Sequence, residues 1–169
     1  MDDIRNQLFA RLGESFGELG IEYKTVDGAG EPQIGDGLMA MVPVTGTDGQ
    51  IALMEIAFAK FGEGMNFLQL YSTVVMECNQ SLDVLLQAVN EVNFYCPIGS
   101  FGVFREQGQM YHKHCIILDD GADAESIADD TLTAFHAVLL ILAYRAPLLS
   151  KLALGEIDLE TAAQQGLFS

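Results

Sequence analysis

Eight consecutive apolar residues, Ala137-Val138-Leu139-Leu140-Ile141-Leu142-Ala143-Tyr144, lie between His136 and Arg145. A helix that is apolar on every side over two turns must be buried on every side. One face of a sheet covers only one side of it. Either other helices or the C-terminal tail cover its outer side, or a second copy of the chain does, because exposed apolar patches mark interfaces. Leu139 and Leu140 are therefore candidate interface positions. Eight residues fall far short of the roughly 20 that cross a bilayer, so no membrane span is expected.

The 169 residues suit one compact domain. Half of them are hydrophobic, yet Asp and Glu number 24 against 8 Lys and Arg, a net charge of −16. Disordered acidic chains lack that apolar content, so this chain folds. So few cations cannot neutralise many phosphates, which argues against nucleic acid and acidic membrane surfaces and leaves basic or apolar partners open. Cys78, Cys96 and Cys115 are odd in number and irregularly spaced, which predicts reduced thiols. Met1-Asp2-Asp3 is acidic where a secretory leader would be basic, so a cytoplasmic location is expected.

Ile4, Leu8, Leu12 and Phe16 recur every four residues and predict a helix over 3–19 that Gly20 can end. Residues 21–26 read as a short strand, and 27–37, with its glycines and Pro32, as a loop. Two apolar runs, 38–44 and 50–61, flank Asp48-Gly49 and predict a hairpin. The segment 65–76 alternates, with Phe67, Gln69, Tyr71 and Thr73 on one face. Ser81 can cap a helix built on Leu82, Leu85, Leu86, Val89 and Val92, which Pro97 ends. A second hairpin, 98–105 and 109–118, precedes the acidic loop 119–122. Asp123 then caps the longest helix, which Pro147 should kink or stop. Residues 148–154 add a turn or two, and Asp158 caps a final short helix within the tail 155–169. The order α-β-β-β-β-α-β-β-α-α predicts an α+β domain over 1–169, an antiparallel sheet with helices on one face.

The segment Leu85-Leu86-Gln87-Ala88-Val89-Asn90-Glu91-Val92-Asn93, then Ser100-Phe101-Gly102-Val103-Phe104, then residues 118–127, resembles the bacterial YbjN-type family. That family shares the fold of type III secretion chaperones. In such proteins an Asn-bearing helix ends before a Phe-bearing strand, and an acidic loop opens a long helix. Here these are Asn90 and Asn93, Phe101 and Phe104, and residues 119–123. The resemblance implies a small, dimeric, non-enzymatic protein of the sensory transduction regulator kind. Secretion chaperones themselves bind an extended, unfolded segment of an effector.

Met39, Met41, Met54, Met65 and Met76 lie on or beside strands, where they fill a core or accept varied apolar partners. His112 and His114 share a strand face opposite Cys115, too few ligands for a metal without help, and read as packed or solvated histidines. The acidic loop lacks the spacing of a calcium loop. Gly28-Ala29-Gly30 is followed by Pro32 rather than a helix and fails as a dinucleotide fingerprint. Cys96 sits at a helix C-terminus, which disfavours a thiolate. No nucleophile beside a base is recognisable, so neither enzyme, metal nor cofactor is expected.

These observations predict a cytoplasmic homodimeric module that holds an extended, basic polypeptide, by strand addition at a sheet edge and apolar grooves. Met54, Phe58, Phe67 and Tyr71 are the candidate partner-binding residues. The alternative, motivated by His112, His114 and the glycine loop, is a regulator responsive to a small molecule or metal held between helix and sheet.

Overall fold

The computed structural model describes residues 2–26, 37–43, 51–60, 66–106, 108–118 and 123–168. The elements run α1 (Asp2–Glu18), β1 (Glu22–Val26), β2 (Gly37–Pro43), β3 (Ile51–Lys60), β4 (Asn66–Val75), α2 (Leu82–Phe94), β5 (Ser100–Phe104), β6 (Gln109–Leu118), α3 (Ala124–Ala153) and α4 (Leu159–Gln164). This is the α+β order predicted from the sequence. The six strands form one antiparallel sheet ordered β1-β2-β3-β4-β6-β5. The glycine-rich loop, the Asp-Gly turn, the Gly62-Glu63-Gly64 connection and the acidic loop 119–122 fall outside the described residues.

Strand side chains alternate between faces, and burial follows that period. Leu38 and Ala40, Met54 and Ile56, Leu68 and Leu70, and Met110 and His112 are buried, while their odd-numbered neighbours, the buried Gly37 excepted, are partly or fully exposed. Helix boundaries follow local chemistry. The Asp123 carboxylate accepts from the Ser126 N–H at 2.9 Å and that of Asp158 from Thr161 N–H at 2.7 Å, satisfying donors that a first turn leaves unpaired. Ser81 occupies the cap of α2, but its side chain makes no capping bond. Pro147 does not stop α3, which continues to Ala153. A proline deletes one backbone donor, and on either side of it Leu142, Ala146, Leu149 and Leu152 are buried, which holds the helix together. Gly155 (φ +77) then closes α3, with its N–H on Leu152 O and that of Glu156 on Lys151 O.

Two compact units make up the chain. The first comprises Met1–Val42, Leu53–Leu70 and Cys115–Ala137. Its core gathers Leu8, Leu12 and Phe16 from α1, the buried residues of β2 and β3, and Phe135 of α3. Phe16 meets Phe135 at 5.0 Å between ring centroids and Tyr23 at 6.0 Å, and Phe9 meets Phe58 at 5.5 Å. Each edge-to-face or tilted pair contributes about 1 kcal/mol beyond its area.

The second unit comprises Pro43–Ala52, Tyr71–His114 and Val138–Ser169. Here α2 packs on β5 through Leu85, Ala88, Val89 and Val92. Asn93 fastens the pair. Its Oδ1 accepts from the Phe101 N–H at 2.7 Å and its Nδ2 donates to the Phe101 carbonyl at 2.9 Å, so the carboxamide pairs with that peptide as a neighbouring strand would. The Ala153 carbonyl at the end of α3 accepts from the N–H groups of Asn79 and Gln80. Arg145, only 8% exposed, donates through Nη1 to Leu167 O at 2.6 Å and fixes the turn after α4. Asn93→Ala is expected to lower stability by about 2 kcal/mol, read as a fall in the urea midpoint with the slope unchanged.

Candidate functional site: exposed apolar surfaces

In the first unit, β1 pairs β2 with Glu22 opposite Met41 and Lys24 opposite Met39. Paired residues share a face, so these four stand together on the face away from Tyr23 and Ala40. With Leu53 of β3 and the flank of Tyr23 they line a groove of about 320 Å³. Its floor is thioether and leucine, and its rim carries one charge of each sign. A second cavity of about 540 Å³, between α1 and the start of α3, is lined by Gln7, Arg11, Glu14, Asp123 and Glu125 among others. Arg11 and Glu125 pair across it at 3.1 Å, both well exposed, a contact worth little in water.

In the second unit one side of the strands carries an aromatic trio. Tyr111 stacks on Tyr71 at 5.1 Å and lies 4.6 Å from Phe104, and Tyr71 and Phe104 are 6.3 Å apart. Gly102 makes room for this. It pairs with Tyr111 in the ladder, and a Cβ there would lie 2.5 Å from the Tyr111 ring. Gln109 joins the edge of the trio, accepting from Tyr71 Oη at 3.1 Å and donating to Thr73 Oγ1 at 3.1 Å. Phe104 remains 42% exposed.

On the opposite side His112 is fully buried. Its Nε2 donates to Ile98 O at 3.1 Å, its ring meets Phe101 edge-on at 4.9 Å, and Nδ1 has no partner. Gly99 (φ +67) passes so close that a Cβ would lie 2.5 Å from the imidazole. The Cys96 thiol donates to the same Ile98 carbonyl at 3.2 Å. Burial holds the Cys96 thiol above its usual value despite that hydrogen bond and the Arg145 charge, so it is a poor nucleophile. Burial also lowers His114. Among the described residues no group of three His, Cys, Asp or Glu side chains could hold a metal ion.

α3 carries the apolar run. Val138, Leu142 and Ala146 are buried, but Leu140 is 73% exposed and Tyr144 63%. The Arg145 guanidinium lies 4.6 Å from the Tyr144 ring centre, a cation–π contact at the edge of this surface. By length and composition α3 is long enough and apolar enough to cross a membrane, a test the core helix of a globular protein also passes. The predicted run of eight understates it, since apolar residues continue on both sides of Arg145 and Pro147.

The six predicted partner-binding residues do not form one surface. Met54 is fully buried in the core, and Phe58, half-buried, packs on Phe9 from the same strand face. Phe67 and Tyr71 are half-buried on the other face, Leu139 is half-buried, and Leu140 is open. Sequence reasoning missed Phe104 and Tyr111, which join Tyr71 only through strand register. It also missed Phe94 and Tyr95, a T-shaped pair at the end of α2 that is 83% and 50% exposed. The three-four spacing of α2 places Phe94 off its apolar stripe, a signal available in the sequence. No protein-family model matches the chain, and no curated protein matches it.

Burial holds His112 at about 4, below its ordinary 6.5, against the opposing pull of the Ile98 hydrogen bond and helped by His114. The unfolded chain therefore takes up a proton between pH 6.5 and 4 that the folded chain refuses. Stability is fully present above pH 6.5 and falls on acidification by about 3 kcal/mol at pH 4. Urea titrations from pH 7 to 4 should show this loss, and His112→Leu should flatten it while lowering stability at pH 7.

Proposed function

We propose that the chain is a non-enzymatic, homodimeric protein-binding module, chaperone-like or regulatory, akin to the YbjN-type proteins and cytoplasmic, that holds an extended polypeptide. The observation that carries this reading is the exposure of Leu140 and Tyr144 on a helix whose neighbouring positions are core. Leaving a leucine in water forgoes about 2 kcal/mol of burial, which a bound apolar segment recovers. The aromatic trio and the methionine groove supply further adaptable apolar surface. A net charge of −16 favours a basic partner and speeds its approach. His112, on which a ligand-responsive alternative depends, is fully buried with Nε2 committed to a backbone carbonyl, which favours the polypeptide reading.

Fluorescent peptides of 12 to 20 residues, about that length being enough to span such a surface, with alternating Leu and Lys, are expected to bind with micromolar affinity. Leu140→Asp should weaken that binding at least tenfold while the circular dichroism spectrum is retained. Absence of binding at several hundred micromolar to the wild-type chain would overturn the reading.

A further inference from the structure

The sheet order leaves two edge strands, β5 and β1, and they differ in what meets them. At β5 the Asn93 carboxamide already takes both the N–H and the carbonyl of Phe101, and α2 packs along the strand. That edge is covered. At β1, Glu22, Tyr23, Lys24 and Thr25 are all exposed, and among the described residues nothing outside the sheet hydrogen-bonds to the strand. An edge of this kind is a template for another strand.

We infer that a second copy of this chain adds at this edge, the two β1 strands pairing antiparallel with Tyr23 opposite its own counterpart. The inference rests on the homodimeric part of the proposed function and assigns that dimer its interface. Its basis is charge complementarity within Glu22-Tyr23-Lys24. In a two-fold antiparallel pair that keeps the sheet faces continuous, residues of like parity stand opposite each other. Centred on Tyr23, Glu22 of each copy faces Lys24 of the other, twice over. Centred on Lys24 or on Glu22, like charges meet. Cross-strand pairs of opposite charge stabilise a ladder, and like charges directly opposite destabilise it. The strand therefore selects one register with itself, while its shortness and its charges discourage indiscriminate pairing.

Glu22 and Lys24 stand on the groove side of β1, so the cross-pairs close over Met39 and Met41. Tyr23, 44% exposed and resting on Phe16, meets its counterpart on the other face. Five residues of pairing bury less than the roughly 1,000 Å² of a stable interface, so the association is weak and depends on concentration. The net charge of each copy opposes it at long range, an effect that salt confines to about 8 Å at physiological ionic strength.

Sedimentation and light scattering of the full chain, at concentrations from micromolar to millimolar in physiological salt, test this. The wild-type chain is expected to move from monomer to dimer across that range. Glu22→Lys and Lys24→Glu should each weaken dimerisation at least tenfold, because each turns both cross-pairs into repulsions. The double variant, Glu22→Lys with Lys24→Glu, should dimerise like the wild type, and an equimolar mixture of the two single variants should form a heterodimer. Both substitutions lie at exposed positions, and circular dichroism confirms folding. A wild type that stays monomeric throughout, single variants that dimerise normally, or a double variant as weak as the singles would each overturn the inference. Peptide binding read on the same samples separates the two proposals. Binding by a strictly monomeric wild type defeats the edge pairing and the homodimer but leaves the polypeptide reading standing. A dimer that ignores these charges defeats the edge pairing alone, and a charge-dependent dimer that binds no peptide defeats the polypeptide reading alone.

Discussion

Burial of one strand face and not the other is the constraint on which the remaining features depend. Because strand side chains alternate, burying Leu38, Ala40, Met54, Ile56, Leu68 and Leu70 commits every residue between them to the outer side. The same alternation takes His112 into the interior and leaves Lys113 in water. It also collects Met39 and Met41 on one face in the first unit, and within the second unit it brings Tyr71, Tyr111 and Phe104 together.

Polar groups that enter the core are held by backbone partners more than by opposite charges. Arg145 rests on the Leu167 carbonyl, His112 on that of Ile98, Thr131 on that of Ile127 at 2.6 Å, and Asn93 on both groups of Phe101. Ser72 Oγ and His112 Nδ1 have no partner, and each such orphan costs about 1–3 kcal/mol. Carbonyl acceptors suit a chain with so large an acidic surplus, because they hold the few buried donors without bringing more negative charge inside.

Some apolar side chains stay exposed in this packing. Leu140 and Tyr144 are exposed on the apolar run of α3, and among the described residues β1 carries no side-chain pairing like that of Asn93 at β5. Burial pushes the Cys96 thiol up rather than down.

The amino-acid sequence by itself determined the element order, the caps at Asp123 and Asp158, and the presence of an apolar run in the longest helix. Each of these depends on residues within a few positions of one another, through helical or strand periodicity and local hydrogen bonds. It was silent on which side of a strand faces inward. In β4 both parities carry large side chains, Phe67 and Tyr71 on one and Leu68 and Leu70 on the other, so the strand alone does not choose. Tertiary structure decided that Met54 and Phe58 turn inward and Tyr71 outward, that Asn93 covers one edge, and that α3 runs through Pro147. These depend on strand register and on helix packing between residues distant in the chain, and a local pattern carries no record of the partner it will meet.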